Sequence, residues 1–344
     1  MTIKILELFG GIGSPRVALR NLGIDIKSID YVEIDAKAVA SYNAIFASDL
    51  KYKTQSVIDW ELKPDILIHG SPCQDISIAG RHLGADAGSG TRSSLMWETL
   101  KIIENFGKWQ PKIVIWENVK AVLFKSMNEN FNKYLREMEC LGYTNSYAVL
   151  NALDFGLPQQ RERVFTISIL NGKAFDFNSL ERLSMRPLSN FIEKDVDEKY
   201  TIKAPSMLDR IGSPSDKKKF KGYLKIIDDK VYTITTSQDR VPNSGVIDLG
   251  NGKYRVLTEK ECWLLQGYSI DDFEAAAKVS SKTQLYKQAG NSIPVPIFES
   301  LFRVLLKNYK TIIIHNGVNR GRRVSIPYCA SNPSGVHRFP SGIC

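Results

Sequence analysis

Short apolar runs rich in Ile and Val alternate with stretches of helical period through the first half of the chain. The runs fall at 3–9 (IKILELF), 29–34 (IDYVEI), 65–68 (DILI), 112–116 (KIVIW), 145–150 (NSYAVL) and 164–170 (VFTISIL). Each has the length of a strand buried on both faces. Between them, SPRVALRNLG places Ser14 as N-cap, Pro15 at the first helical position and Gly23 as the stop. SLMWETLKIIENF and NFNKYLREMECLG carry apolar residues at helical spacing. This order predicts an α/β domain, a mostly parallel sheet with helices on both faces.

From about residue 172 the rhythm breaks. Long apolar runs become rare, a lysine cluster appears in DKKKFKGYLK, and Gly/Asn turns surround VPNSG and DLGNGKY. These features predict a small strand-and-loop lobe. Regular pattern returns in TEKECWLLQGY and in PVPIFESLFRVLLKNY, where Phe298, Leu301, Phe302 and Leu305 share one helical face. The expected organisation is therefore a sheet domain from 1–171 and 286–314, a second lobe and hinge from 172–285, and a flexible tail from 315–344.

Composition narrows the function classes only modestly. Among the 344 residues no apolar run approaches a membrane span, and the chain opens directly on a strand-like segment, so neither membrane insertion nor secretion is expected. The five cysteines are scattered, odd in number and without a Cys-x-x-Cys pair, which suggests neither a disulfide framework nor a metal cluster and fits a reducing cytoplasm. The net charge of +9 is compatible with a polyanionic partner.

ELFGGIGS (7–14) puts glycines where the first strand turns into a helix, allowing backbone to approach a ligand closely. Glu33, at the end of the second strand, is placed to accept hydrogen bonds from ribose hydroxyls. A nucleoside-containing ligand follows. The dinucleotide fingerprint needs a third glycine where this chain has Arg16, so a nicotinamide cofactor is disfavoured.

Four further segments sharpen the picture: GSPCQ (70–74), WENVK (116–120), PQQRERVF (158–165) and YKQAGNSIPVP (286–296). The first three adjoin strand ends, so Cys73, Glu117 and the Arg161/Arg163 pair can meet at the ligand-binding edge of a doubly wound sheet. Singly, each has an ordinary reading: an inert core thiol, a solvated carboxylate, a charged strand face. Together with ELFGGIGS and YVEID, in this order, they resemble the DNA cytosine-5 methyltransferase family of bacterial or phage type. The resemblance covers about 3–170 and 254–306.

The resemblance implies a Rossmann-like S-adenosylmethionine-dependent methyltransferase sheet, with S-adenosyl-L-methionine as methyl donor and S-adenosyl-L-homocysteine as product. It implies Cys73 as nucleophile, oriented by Pro72, Glu117 as the acid holding the target base, and Arg163 with Arg161 as the motif arginines. Phe9, Gly11, Gly13, Glu33, Ile34, Pro72, Leu95, Asn291 and Ser292 match donor-pocket positions. Where many members have an Asp near the adenine, this chain has Ser56 followed by Val57, with Asp59 slightly downstream. The glycine-rich 75–93 segment would be a closing loop, with Gln74, Ser77, Arg81 and Arg92 at the DNA. VYTITTSQDRVPNSG (231–245) resembles a recognition loop, which implies Thr235, Thr236 and Arg240 as DNA contacts. Lys217, Lys218, Lys219 and Lys221 form either a phosphate-binding run or a solvated face.

The partner so implied is double-stranded DNA, with a cognate restriction endonuclease as a further candidate. The enzyme is expected to act as a monomer in the cytoplasm of a bacterial cell or phage-infected host. Two rivals remain open: the same chemistry on tRNA, whose family branch carries a Cys-Phe-Thr signature that this chain lacks, and a catalytically silent DNA-binding module, which would be expected to lose Cys73 or Glu117 first.

Overall fold

The computed structural model describes residues 3–24, 28–48, 51–58, 63–71, 95–125, 127–212 and 222–318. The first part runs β1 (Lys4–Leu8), α1 (Ser14–Asn21), β2 (Ser28–Val32), α2 (Ala36–Ile45), β3 (Ile66–His69), α3 (Met96–Asn105), β4 (Ile113–Val119), α4 (Asn128–Cys140), β5 (Tyr143–Asn151), β6 (Gln159–Gln160) and β7 (Glu162–Leu170). Then come α5 (Pro205–Leu208), β8 (Val231–Tyr232), β9 (Ile247–Gly250), β10 (Lys253–Arg255), α6 (Glu259–Leu264), α7 (Ile270–Ala277), α8 (Lys282–Asn291) and α9 (Val295–Val318).

A six-stranded sheet has the order β2-β1-β3-β4-β7-β5. Its strands send alternate side chains to two buried faces, as their period of two requires. Ile5, Ile66, Ile68, Ile113 and Ile115 join one core with Val17 of α1, Tyr42 of α2 and Phe298, Leu301, Phe302 and Leu305 of α9. Leu6, Leu8, Leu67, Val114 and Trp116 join the other with Leu100 and Ile103 of α3 and Phe131, Tyr134 and Met138 of α4. Unbroken apolar runs thus mark strands covered on both sides.

The sheet is mixed, and this refines the expectation of a mostly parallel one. β1 pairs in parallel with β2 and β3, and β3 with β4, whereas β7 lies antiparallel between β4 and β5. No crossover α-helix separates β5 from β7, so the chain must return along its neighbour. The start of β7 is thereby brought beside the C-terminal end of β4, the ligand-binding edge.

The start of α1 also differs from expectation. Gly13 is the N-cap, at φ 80°, and Ser14 already lies in the helix. The Ser14 hydroxyl is buried and meets Tyr268 Oη at 2.7 Å and Ser292 Oγ at 2.9 Å, so tertiary partners have taken the group that would otherwise cap. Gly23 ends the helix as predicted: its N–H donates to Arg20 O and that of Ile24 to Leu19 O, the paired bonds of a left-handed glycine stop.

Beyond β7 a smaller core forms from Tyr200, Ile202, Leu224, Val246 and Val256. Residues 257–285, which the pattern break assigns to the second lobe and hinge, instead place Leu257, Cys262, Trp263, Leu265, Ala276 and Leu285 in the larger core. An Arg20–Asp272 ion pair of 2.8 Å joins α7 to α1. Among the described residues no helix is long and apolar enough to cross a membrane. Pro72, Cys73, Gln74, Ser77, Arg81, Arg92, the lysines at 217–219 and 221, and the tail from 319 lie outside the described residues.

Candidate active site

Glu117 sits near the C-terminal end of β4, and the β4–β7 register sets Val119 opposite Arg163. Arg163 Nε lies 3.2 Å from Glu117 Oε1, and both side chains are largely withdrawn from water. A second donor of Arg163 binds the carbonyl of Glu162 at 2.7 Å, which fixes the guanidinium plane. Burial raises the Glu117 pKa; the nearby Arg163 and then Arg161 oppose the rise without cancelling it. The result is a carboxyl poised to carry a proton, next to a fixed cation.

β3 delivers the chain to the same place. A methyl group added at Gly70 would lie 3.5 Å from Glu117 Oε2, so the backbone passes directly beside the carboxyl. Trp116 Nε1 donates to Ser71 Oγ at 3.2 Å, anchoring the last described residue before Pro72 and Cys73. Below, the His69 ring stacks on Trp116 and its Nε2 pairs with Tyr134 Oη at 3.0 Å. Burial pushes the His69 pKa down to about 3, so this imidazole is a neutral support.

The glycine turn forms a second element of the edge. Phe9 and Gly11 both have positive φ, 57° and 55°. For Phe9 that is a strained conformation of the kind retained at ligand sites. A Cβ at Gly10 would strike Tyr31 and one at Gly13 would strike Tyr42, whereas at Gly11 it would meet nothing within 4 Å. The turn is thus packed behind and open in front, a cradle at Gly11. Glu33 faces it: Oε2 accepts from Gly11 N–H at 3.0 Å, and Oε1 from the N–H groups of Ile34 and Asp35 at 2.8 Å each. Arg16, at the missing-glycine position, is buried with its guanidinium 4.1 Å from the Phe46 ring centroid and donates to Tyr42 Oη.

Two exposed apolar side chains lie on the segments next to Glu33, Ile34 at 76 % exposure and, beyond the Gln55 N–H that donates to Glu33 O, Ile58 at 55 %. Ile58 was not foreseen. Val57 is packed into the core, and the exposed Ser56 accepts the Ile58 N–H in its own turn, so Ile58 is the apolar group presented there. Leu95 caps α3 and is half-buried. Asn291 is exposed at the end of α8, while Ser292 is buried in the hydroxyl triangle with Ser14 and Tyr268. An open glycine cradle, a fixed carboxylate and exposed isoleucines fit the adenosine half of S-adenosylmethionine.

Arg161 departs from its expected catalytic role. It is 2 % exposed, and its guanidinium donates to the carbonyls of Ile234, Gly290 and Ser292 at 2.9, 2.9 and 2.7 Å. Its charge also acts on Glu117. Thr235 and Thr236 are half-buried on the adjoining turn, and Arg240 is exposed.

Glu7 is a further buried acid beneath the glycine turn, accepting from Tyr42 Oη at 3.0 Å. Burial raises its pKa to about 7. The protonated form is favoured in the folded chain, so its stabilising contribution is complete below the ordinary carboxylate value of 4.5 and lost as pH rises through about 7. Glu7→Gln is expected to gain on the order of 3 kcal/mol over the parent at pH 8 relative to pH 4. Denaturant unfolding at the two pH values checks this; a difference independent of pH counts against a titrating Glu7.

Comparison with known proteins gives a consistent result. A family model described as C-5 cytosine-specific DNA methylase matches residues 3–307. The type II methyltransferase M2.ScrFI of Lactococcus lactis subsp. cremoris is 34 % identical over 89 % of this chain and 99 % of its own length. The type II methyltransferase M.DsaV of Dactylococcopsis salina is 30 % identical over 88 % of this chain and 86 % of its own. Among solved structures, the Entamoeba histolytica methyltransferase EhMeth aligns with a TM-score of 0.72 over 90 % of this chain and 99 % of its own, at 18 % identity, a likeness of fold.

Proposed function

We propose, for a chain that belongs to the C-5 cytosine-specific DNA methylase family and is a DNA (cytosine-5-)-methyltransferase, a reaction in which a cytosine is flipped from a specific short duplex site and methylated at carbon 5 through a covalent Cys73 adduct at carbon 6. The observation that carries it is the Glu117–Arg163 pair, set at the sheet edge beside Gly70, where β3 releases the chain toward Cys73.

Carbon 5 of cytosine is a weak nucleophile. Addition of the Cys73 thiolate at carbon 6 forms the S–C6 bond and breaks the 5,6 double bond, turning carbon 5 into an enamine-like nucleophile. Negative charge that develops toward ring N3 and O2 meets complementary groups: Glu117, whose pKa burial raises, shares a proton with N3, and Arg163 donates to O2. Gly11, Glu33, Ile34, Ile58 and Asn291 would hold S-adenosyl-L-methionine, whose sulfonium would supply the methyl group that bonds to carbon 5, leaving S-adenosyl-L-homocysteine. Loss of the carbon 5 proton to water, return of the N3 proton to Glu117 and expulsion of Cys73 then restore the double bond, the free thiolate and the starting carboxyl. Phe9, Gly13, Ser56, Val57, Pro72, Leu95 and Ser292 shape the donor side. The target atoms are shielded within a stacked duplex, so the base must leave the helix.

The lobe beyond β7 would face the DNA as the recognition element, with Thr235, Thr236 and Arg240 at the bases and Gln74, Ser77, Arg81 and Arg92 on the loop that closes behind the flipped base. We further infer a monomeric cytoplasmic enzyme, with a cognate restriction endonuclease as its partner in the cell.

The deciding experiment is transfer of labelled methyl from S-adenosylmethionine to unmethylated genomic DNA, with tRNA in parallel and base-resolution mapping of the product. Label at cytosine carbon 5 within one short sequence is expected. Label on tRNA alone would overturn the substrate, and absence of label on both would favour a silent binding module.

A further inference from the structure

We propose that Gln159, Arg161 and Gly290 form a positioning clamp that holds the Thr235–Thr236 turn in register with the Glu117–Arg163 pair, so that base recognition and the catalytic pocket keep one fixed spacing. The proposal rests on the DNA-methylation reading above and adds three positioning residues to it.

Gln159 and Arg161 bracket the backbone of Ile234, the residue just before the turn. Fully buried Gln159 accepts the Ile234 N–H through Oε1 at 3.2 Å and donates from Nε2 to Leu265 O at 2.8 Å. Arg161 donates to Ile234 O at 2.9 Å and, from the other arm of its guanidinium, to Gly290 O and Ser292 O. Both polar groups of one recognition-lobe residue are thus bound by side chains of the segment that leads into β7. Parallel pairing of β6 with β8 and a bond from Thr233 Oγ1 to Gln160 O extend the same seam.

Gly290 is the opposite jaw. A Cβ there would lie 2.4 Å from Thr235 C and from Thr236 N, a distance no side chain tolerates. The turn therefore rests directly on the α8 backbone. Apolar packing alone would hold the lobe in place but permit small slides, whereas directional bonds to a buried guanidinium and amide select one geometry. Arg163 follows Arg161 by two residues, a span of at most about 7 Å, so the clamp and the ion pair at Glu117 share one short backbone segment.

Gln159→Leu and Gly290→Ala attack the turn from its two sides. In each, amide exchange over 231–238 is expected to accelerate at least about tenfold. KM for DNA is expected to rise about tenfold or more, while the S-adenosylmethionine Kd of Gln159→Leu stays within about threefold of the parent. Unchanged exchange in both variants overturns the clamp. Faster exchange with unchanged DNA KM reduces it to a stabilising contact and overturns the positioning role. Should the parent label no DNA, the methylation reading fails by itself, and exchange left unaltered in both Gln159→Leu and Gly290→Ala would still refute the clamp separately.

Discussion

Cys73→Ala is expected to lower methyl transfer to DNA by roughly 10⁴-fold or more while leaving DNA affinity within a few-fold of the parent. Without addition at carbon 6 the base offers no competent nucleophile, and Glu117 and Arg163 have no developing charge to stabilise. The described structure supports the placement up to the residue before Pro72. Ser71 is tied to Trp116, Gly70 lies against Glu117, and two further residues extend at most about 7 Å. Cys262 provides the internal control, because burial drives its thiol pKa well up and it lies in the core as an inert group. A conservative Cys262→Ser change should cost stability but retain transfer. Labelled-methyl assays and gel shifts on the same preparations check both. A Cys73→Ala protein that keeps a rate within tenfold of the parent, or that no longer folds, removes Cys73 as nucleophile.

Much of the fold was legible because the sheet is buried on both faces. Six apolar runs each became a strand of the main sheet, and the Phe298–Leu305 stripe became the buried face of α9. What patterning missed was directional. An antiparallel strand buried on both faces has the same composition as a parallel one, so the reversal of β7 is marked not by its own residues but by the missing crossover helix after β5. Ser14 has the composition of an N-cap, and only its tertiary contacts with Tyr268 and Ser292 reveal otherwise. In the site, Glu117 and Arg163 stood out through their motifs and do meet at 3.2 Å. Arg161 carried the same signal, yet its environment, three carbonyls and nearly no exposure, sets it apart from Arg163. Gln159 and Gly290 stand inside the motif segments PQQRERVF and YKQAGNSIPVP, but their part could not be read there, because an amide and a hydrogen atom act here only through the backbone they touch.

Glu117→Gln is expected to slow methyl transfer by about 10²–10⁴-fold with little change in S-adenosylmethionine affinity. The amide can still orient the base but cannot deliver a proton to N3. Burial raises the carboxyl pKa against the opposing charges of Arg163 and Arg161, so the competent protonated form is present below that raised value and lost above it. The parent rate should therefore fall along an alkaline limb assigned to Glu117, and that limb should vanish in the glutamine variant. Stability moves in the same sense. Between the ordinary carboxylate value of 4.5 and the raised folded value, the native chain binds more protons than the unfolded one, and the parent loses stability as pH rises through that window. Glu117→Gln lacks this slope, so a variant that is crippled in turnover should hold its stability better than the parent toward alkaline pH. Rate profiles at saturating DNA, paired with denaturant unfolding across the same pH range, separate the two effects. A retained alkaline limb assigns the titration to another group, and an unchanged rate removes Glu117 from the chemistry.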